Sequence, residues 1–235
     1  MTTTSQPTAL ITGGSKGLGR ALAVALAERG WRLIVDARSS TALSALAGGL
    51  PAALALRGDV TDPEHRKALA DAAARCGRLD LLVNNASDLG PSPLPALSQF
   101  PLPALRAVYE TDVIAPVALT QLVLPQLRSA RGVVLNVSSD AAVEAYPGWG
   151  GYGPAKAALD HVSAVLAEEE PDLRVYAVDP GDMRTDMHQA AFPGEDISDR
   201  PAPETVVPSL LHLLDERPPS GRYRAAEWAV AGVPA

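Results

Sequence analysis

The chain has a single cysteine, Cys76, so no intramolecular disulfide can form. Its four histidines come with no CxxC or HExxH pattern, and the sequence therefore argues against a zinc site, structural or catalytic. Lysine is scarce: Lys16, Lys67 and Lys156 are the only three, and the remaining basic residues are arginine. With 20 basic against 27 acidic residues the net charge is −7, and no basic stripe stands out. Nucleic acid is not expected as a partner, because neutralising phosphates takes clustered cations. No stretch approaches the roughly 18 consecutive apolar residues of a membrane span, and Met1 to Pro7 is polar with no apolar signal core. These features read as a soluble, cytoplasmic protein without a membrane partner. Internal repeats and low-complexity tracts are also lacking.

What is present is a large apolar fraction, 47% of 235 residues, which suits one α/β domain over residues 1–235 better than two small ones. Short apolar runs alternate with longer amphipathic segments. Ala9–Ile11, Leu33–Val35, Leu54–Leu56, Leu81–Val83, Val133–Leu135 and Val175–Val178 read as strands, nearly continuous in hydrophobicity as in a parallel sheet covered on both faces. Gly17–Glu28, Pro63–Arg75, Leu102–Leu127 and Tyr152–Glu169 have helical length and spacing. Asp62-Pro63-Glu64 supplies an N-cap, a first-turn proline and a first-turn acid. Pro171 stops the helix that ends in Glu168-Glu169-Glu170, an acidic run the helix dipole disfavours and which is expected to be solvated. The order predicts a doubly wound open sheet with helices on both faces. Two segments interrupt it. Ser87–Pro103 carries five prolines and reads as a surface loop entering a long helix, with a domain linker as the alternative. Thr185–Pro203 is polar and reads as an irregular loop, a substrate-side lid over 185–203, before a last helix around Thr205–Leu214.

The chemistry-bearing stretch is Tyr152-Gly153-Pro154-Ala155-Lys156, with Ser139 thirteen residues before the tyrosine. A phenol, an ammonium one helical turn later and a hydroxyl suggest a proton-transfer site. Near the start, Thr12-Gly13-Gly14-Ser15-Lys16-Gly17-Leu18-Gly19 follows the first strand and opens the first helix. Such glycines let backbone approach a pyrophosphate at a helix N-terminus, although an ordinary βα turn can look alike. No Gly-Lys-Ser/Thr closes it, so it is not a P-loop.

Together these motifs resemble the short-chain dehydrogenase/reductase family. The spacing Thr-Gly-x3-Gly-x-Gly is similar to its cofactor fingerprint. Asp59-Val60 follows the third strand, where the family holds adenine. Asn84-Asn85-Ala86-Ser87 looks like the family's Asn-Asn-Ala-Gly, with serine in place of glycine. Ser139, Tyr152 and Lys156 match the catalytic motif in order and spacing, and Pro180-Gly181, followed by Met183 and Thr185, matches the turn around the nicotinamide carboxamide. The similarity spans about residues 7–187, plus a last strand over Arg222–Ala226. It implies a Rossmann-type fold of about seven strands, a small-molecule substrate, a homodimer or homotetramer, and cofactor contacts from Gly13, Ser15, Lys16, Gly17, Leu18, Gly19, Asp59, Val60, Asn85, Ala86, Tyr152, Lys156, Pro180, Gly181, Met183 and Thr185.

Which nicotinamide cofactor is implied turns on Val35-Asp36-Ala37-Arg38. The family's ribose-binding acid sits at the position of Ala37; Asp36 is one residue early and, by strand alternation, points elsewhere. Arg38 and Lys16 fall where NADP-binding members place cations for the 2′-phosphate, implying NADP(H) over NAD(H), with Asp36 on the ribose and both cations solvated as the alternative. In the implied reaction Lys156 favours the phenolate of Tyr152, Ser139 donates to the substrate oxygen, and Tyr152 exchanges the proton. Ser138 competes with Ser139 but has the wrong spacing.

One departure concerns the family's water-holding asparagine, whose position is Asp112 here. A carboxylate there is expected to keep Lys156 charged while partly cancelling its pull on the phenol, altering the pH–rate profile. The alternative is a relay water held by backbone alone. Asp88, Ala141, Tyr146, Trp149, Met183, Arg184 and Met187 are candidate pocket residues, and Trp149 with the methionines argues for a largely apolar substrate. Arg184 either pairs with a substrate anion or is solvated, and His188 reads as a surface residue. The rival reading is a dinucleotide-binding sensor or scaffold without turnover, against which the retained Ser139, Tyr152 and Lys156 speak.

Overall fold

Seven strands lie side by side in one parallel sheet in the order β3-β2-β1-β4-β5-β6-β7. The computed structural model describes residues 6–50 and 52–229, and the N-terminal residues 1–5 and C-terminal residues 230–235 of the 1–235 span lie outside the described residues. The strands are β1 Thr8–Ile11, β2 Arg32–Ala37, β3 Ala53–Arg57, β4 Leu81–Asn84, β5 Val133–Val137, β6 Arg174–Asp179 and β7 Gly221–Arg224. Each of the six apolar runs falls inside its strand. In the register Leu10 lies opposite Ile34 of β2 and Leu82 of β4.

Alternation then sorts the core. Ala9, Ile11, Leu33, Val35, Leu81 and Val83 face α1 (Gly17–Glu28) and α8 (Val207–Glu216), whereas Leu10, Ile34, Leu82 and Val134 face α3 (Pro63–Cys76) and α5 (Ala115–Ala130). The strand order reverses between β1 and β4, and the crevice outside their carboxyl ends is where such sheets receive ligands.

Helix α3 begins on the Asp62 cap, whose side chain accepts from Glu64 N–H at 3.0 Å. The expected helix Leu102–Leu127 is three pieces: α4 (Leu102–Tyr109), a π-helical turn over Glu110–Ile114, and α5. Pro116 accounts for the wide turn, since it has no N–H for the Asp112 carbonyl four residues back and its ring crowds that carbonyl. The whole rod Leu102–Ala130 is long and apolar enough to cross a membrane by length and composition, but Leu119, Val123 and Leu127 pack on the sheet. Residues 87–101 are irregular apart from a 3-10 turn at Leu97–Gln99 and lead into α4, whose first turn takes in Pro103, as the loop reading expected.

Elsewhere the structure differs from the sequence reading. A helix α2 (Ser40–Gly49), rich in small residues, starts on the Ser39 cap and buries Leu43 and Leu46. The segment Thr185–Pro203 is not wholly irregular: the Thr185 hydroxyl caps a short helix α7 (Asp186–Ala191) by accepting from His188 N–H. The last helix starts at Val207 behind a 3-10 turn (Pro203–Thr205), with Pro208 tolerated in its first turn. Strand β7 stops at Arg224, where Ala225–Trp228 turns into a 3-10 helix. The 18-residue α6 (Tyr152–Glu169) has the expected bounds. Glu168 and Glu169 in its last turn are exposed, and the partly exposed Glu170 just past it is not free: the Arg128 guanidinium grips it with two hydrogen bonds and holds its carboxyl below the ordinary range.

Candidate active site

A continuous cleft of about 1080 Å³ runs along the carboxyl ends of the strands. One arm is walled by Arg38, Asp59 and Val60, the middle by the glycine turn, and the far end by Ser139, Tyr152 and Lys156. Of the cofactor residues expected from the sequence, all but Gly19 line it. Gly19 packs behind the turn, where a Cβ would meet Asn85 Nδ2 at 2.5 Å and Gly13 O at 2.8 Å.

The turn is braced from below. Thr12 Oγ1 accepts from Asn85 N–H and Ala86 N–H, each at 3.0 Å, and the Asn85 amide donates back to Thr12 O and Gly13 O. The Asn85 side chain is therefore committed to the turn, leaving the residue's backbone and Ala86 for the cleft. Gly13 is left-handed (φ +63), and a Cβ there would stand 2.9 Å from Ala86 Cα. Asp36 borders the cleft, and its buried carboxylate accepts from Gly13 N–H at 2.7 Å and contacts His65 Nε2 at 2.9 Å. Glycine backbone, the N-terminus of α1 and a first turn without acids suit a pyrophosphate, so the residues present fit a dinucleotide.

At the arm walled by Asp59 and Val60, Arg38 is exposed on the cleft wall. Burial of Asp59 is outweighed by its hydrogen bonds from Thr61 and the charges of Arg38 and His65, which hold the carboxyl below its ordinary value. Lys16 Nζ sits 2.7 Å from Asp186 Oδ2 of α7, both side chains largely exposed.

At the other end, Tyr152 and Lys156 share the first turns of α6, with Nζ 5.3 Å from the centre of the phenol ring. Lys156 is 1% exposed, donates to Val137 O at 2.9 Å, and lies 3.7 Å from Asp112 Oδ2. Asp112, in the π-helical turn, is fully buried and lies behind the cleft rather than on it. Its Oδ1 accepts from Asp88 N–H at 2.7 Å and its Oδ2 from the Ser87 hydroxyl at 2.9 Å.

Burial pushes the Asp112 carboxyl up against the opposing pull of Lys156 and those two donors. Burial opposes the Lys156 charge, but Asp112, Tyr152 and Asp160 outweigh it and hold the ammonium above its ordinary value. Burial also raises the Tyr152 phenol; Lys156 and the Ser87 hydroxyl pull it down, and Asp112 and Asp140 add to the rise.

Both serines border the cleft, Ser138 buried and Ser139 partly exposed. The Ser139 hydroxyl donates to Asp140 Oδ1 at 2.9 Å, an acceptor the sequence did not suggest. The carbonyl of Ser139 accepts from Arg222 Nη2 at 2.9 Å, while Arg222 Nε reaches Asp160 Oδ2 of α6 at 2.9 Å. Arg222 therefore ties β7, the serine and the tyrosine's helix together. His65 and Arg222 were both missed because their partners lie 29 and 62 to 83 residues away, with no local signal.

Beside the phenol Trp149, Met187 and Phe192 pack around Tyr152 with Ala191, and the Trp149 ring stands edge-on to Tyr152 at 5.7 Å. Ala141, Tyr146, Met183 and Arg184 also line the cleft. Asp88 does not; its backbone serves Asp112. His188 is not the surface residue expected: on α7 it stacks on Phe192 at 4.9 Å and accepts from Arg200 Nε. Among the described residues no group of three His, Cys, Asp or Glu side chains is placed to hold a metal ion.

The sequence profile of the short chain dehydrogenases matches residues 7–196. The chain is 34% identical over 176 residues to the short chain dehydrogenase asqE of Emericella nidulans, covering 70% of this chain and 65% of that one. It is 32% identical over 195 residues to the 7alpha-hydroxysteroid dehydrogenase of Escherichia coli K12, covering 80% of this chain and 75% of that one. Among solved structures, a short chain dehydrogenase from Shigella flexneri complexed with NADP superposes with a TM-score of 0.87 at 29% identity, over 94% of this chain and 97% of that one.

Proposed function

The chain belongs to the short-chain dehydrogenase/reductase family of oxidoreductases, and from that premise we propose that it interconverts a carbonyl and an alcohol on a small, largely apolar molecule, with NADP(H) preferred over NAD(H). The observation that carries the reading is the position of the Tyr152 phenol and the buried Lys156 ammonium at the end of the cleft opposite Arg38, with the glycine turn between. When bound, the nicotinamide supplies or accepts the hydride. Tyr152 gives a proton to the substrate oxygen in reduction and takes it back in oxidation. Lys156 keeps a positive charge beneath the phenol, and Ser139 turns its hydroxyl from Asp140 to the substrate oxygen. Trp149, Met187 and Phe192 exclude water from the reacting carbon.

The NADP(H) preference rests on Arg38 and Lys16 bordering the cleft, on Ala37 standing where a ribose-binding acid is needed, and on Asp36 being engaged by Gly13 and His65. A 2′-phosphate there gains charge-assisted hydrogen bonds, about 1.5–3 kcal/mol each. Residues 1–235 act as one domain with 185–203 as the substrate-side lid. The protein works in the cytoplasm as a homodimer or homotetramer; Leu102, Ile114, Leu122 and Val165 are exposed apolar residues on the helical surface that support self-association.

A panel of apolar ketones, aldehydes and secondary alcohols with each of the four nicotinamide forms tests the reading. Oxidation of NADPH by at least one carbonyl, faster than NADH, is the expected result. NADPH binding without turnover on any member would favour a sensor or scaffold, and tighter NADH binding would overturn the cofactor assignment.

A further inference from the structure

The hydroxyl of Ser139 already has partners within its own turn. It donates to Asp140 Oδ1 at 2.9 Å and accepts from Ala141 N–H at 3.2 Å. A hydroxyl has one proton and two lone pairs. The proton and one lone pair are therefore engaged inside the turn. One lone pair is left for the cleft, which Ser139 and Asp140 both border.

The atoms around this hydroxyl are held from several sides. The Ser139 carbonyl accepts from Ala142 N–H at 3.1 Å and from Arg222 Nη2 at 2.9 Å. The Asp140 carbonyl accepts from Val143 N–H and Glu144 N–H, each at 2.9 Å. Asp140 Oδ1 also accepts from Ala141 N–H at 2.8 Å, and Oδ2 lies 3.0 Å from the Tyr146 hydroxyl. With backbone and carboxylate fixed in this way, the easy motion is rotation of the serine proton about the Cβ–Oγ bond.

We infer that Asp140 is a positioning residue that makes the site hold an alcohol more tightly than the matching carbonyl. This rests on the reading of this end of the cleft as a carbonyl/alcohol site. A carbonyl oxygen can only accept, so to bond Ser139 it must draw the proton away from a carboxylate. Hydrogen bonds to a carboxylate are roughly twice as strong as those between neutral groups, and the proton stays with Asp140. An alcohol can donate. Its O–H meets the lone pair that Ser139 presents, while the Tyr152 phenol donates to the same oxygen.

During hydride transfer the balance changes. As negative charge grows on the substrate oxygen, that oxygen becomes an acceptor to match the carboxylate, and the serine proton turns to it. Asp140 thus weakens the ground-state carbonyl complex without removing the donor from the reacting one.

Asp140→Ala and Asp140→Asn test this in the full-length protein, in ternary complexes that cannot react. Cyclohexanone is titrated calorimetrically into the NADP⁺ complex and cyclohexanol into the NADPH complex, at neutral pH. Asp140→Ala frees the serine proton for the ketone and should tighten cyclohexanone binding by about 2- to 10-fold, with cyclohexanol nearly unchanged. Asp140→Asn keeps an acceptor for Ala141 N–H and should fall between Asp140→Ala and wild type. A disturbed turn would weaken both ligands, so a gain confined to the ketone separates positioning from damage. Cyclohexanone binding that is unchanged or weaker in both variants, or ketone and alcohol tightened equally, overturns the proposal. Should the wild-type protein turn over no carbonyl or alcohol, the functional reading fails, while these titrations need no turnover and still decide the role of Asp140.

Discussion

Lys16 has two claimants, and their competition can be measured. Its Nζ is 2.7 Å from Asp186 Oδ2, but the side chains are 66% and 82% exposed, so the ion pair is worth about 0.2–1 kcal/mol. A hydrogen bond to a 2′-phosphate is worth about 1.5–3 kcal/mol. The phosphate therefore takes the lysine from α7, with a net gain of about 0.5–2.8 kcal/mol, or roughly 2- to 100-fold in affinity. Lys16→Ala should weaken NADPH binding by that factor and leave NADH binding nearly unchanged. Asp186→Ala should act in the opposite direction, tightening NADPH binding by about 1.4- to 5-fold because the lysine no longer has to leave a partner. Calorimetric or fluorescence titration with both reduced cofactors at low and high salt reads all four constants. Asp186→Ala that weakens NADPH binding, or Lys16→Ala that weakens both cofactors equally, refutes the competition.

Three further outcomes follow from the same geometry. Asp112→Ala leaves the Lys156 charge buried without its partner and should cost about 3–5 kcal/mol in urea denaturation. Arg222→Ala removes the tie between Ser139, Asp160 and β7; it should lower kcat and cost about 1.5–3 kcal/mol of stability, with NADPH affinity retained. Because burial raises the Tyr152 phenol in the free enzyme, the phenolate needed for oxidation is scarce at neutral pH. The kcat/KM for an alcohol should therefore climb steadily from pH 6 to about 9 while that for the carbonyl stays flat. A plateau for oxidation below neutral pH would show the phenol to be depressed instead.

The glycine turn, the strand ends and the α6 motif were legible in the sequence because each is local: its residues follow one another in one element. Helix α1 and helix α6 match their expected bounds for the same reason. Helix α2 escaped because its small residues carry little periodic signal, although Ser39 was a readable cap. The π-helical turn depends on one backbone clash at Pro116, invisible to a side-chain pattern. The replacements at Ser87 and Asp112 were each visible as departures, but only folding brings them 2.9 Å apart. The braces at His65 and Arg222 join residues on separate elements, which spacing along the chain does not encode.

The central claim is that the Tyr152 phenol moves the proton in a hydride-transfer reaction. Rapid-mixing single turnover of the NADPH complex with a carbonyl substrate, comparing wild type with Tyr152→Phe, tests it most directly. Removal of a general acid should slow hydride transfer by about 10²- to 10⁴-fold while the Phe variant binds NADPH as wild type does. Transfer by Tyr152→Phe at a rate close to wild type would contradict the claim.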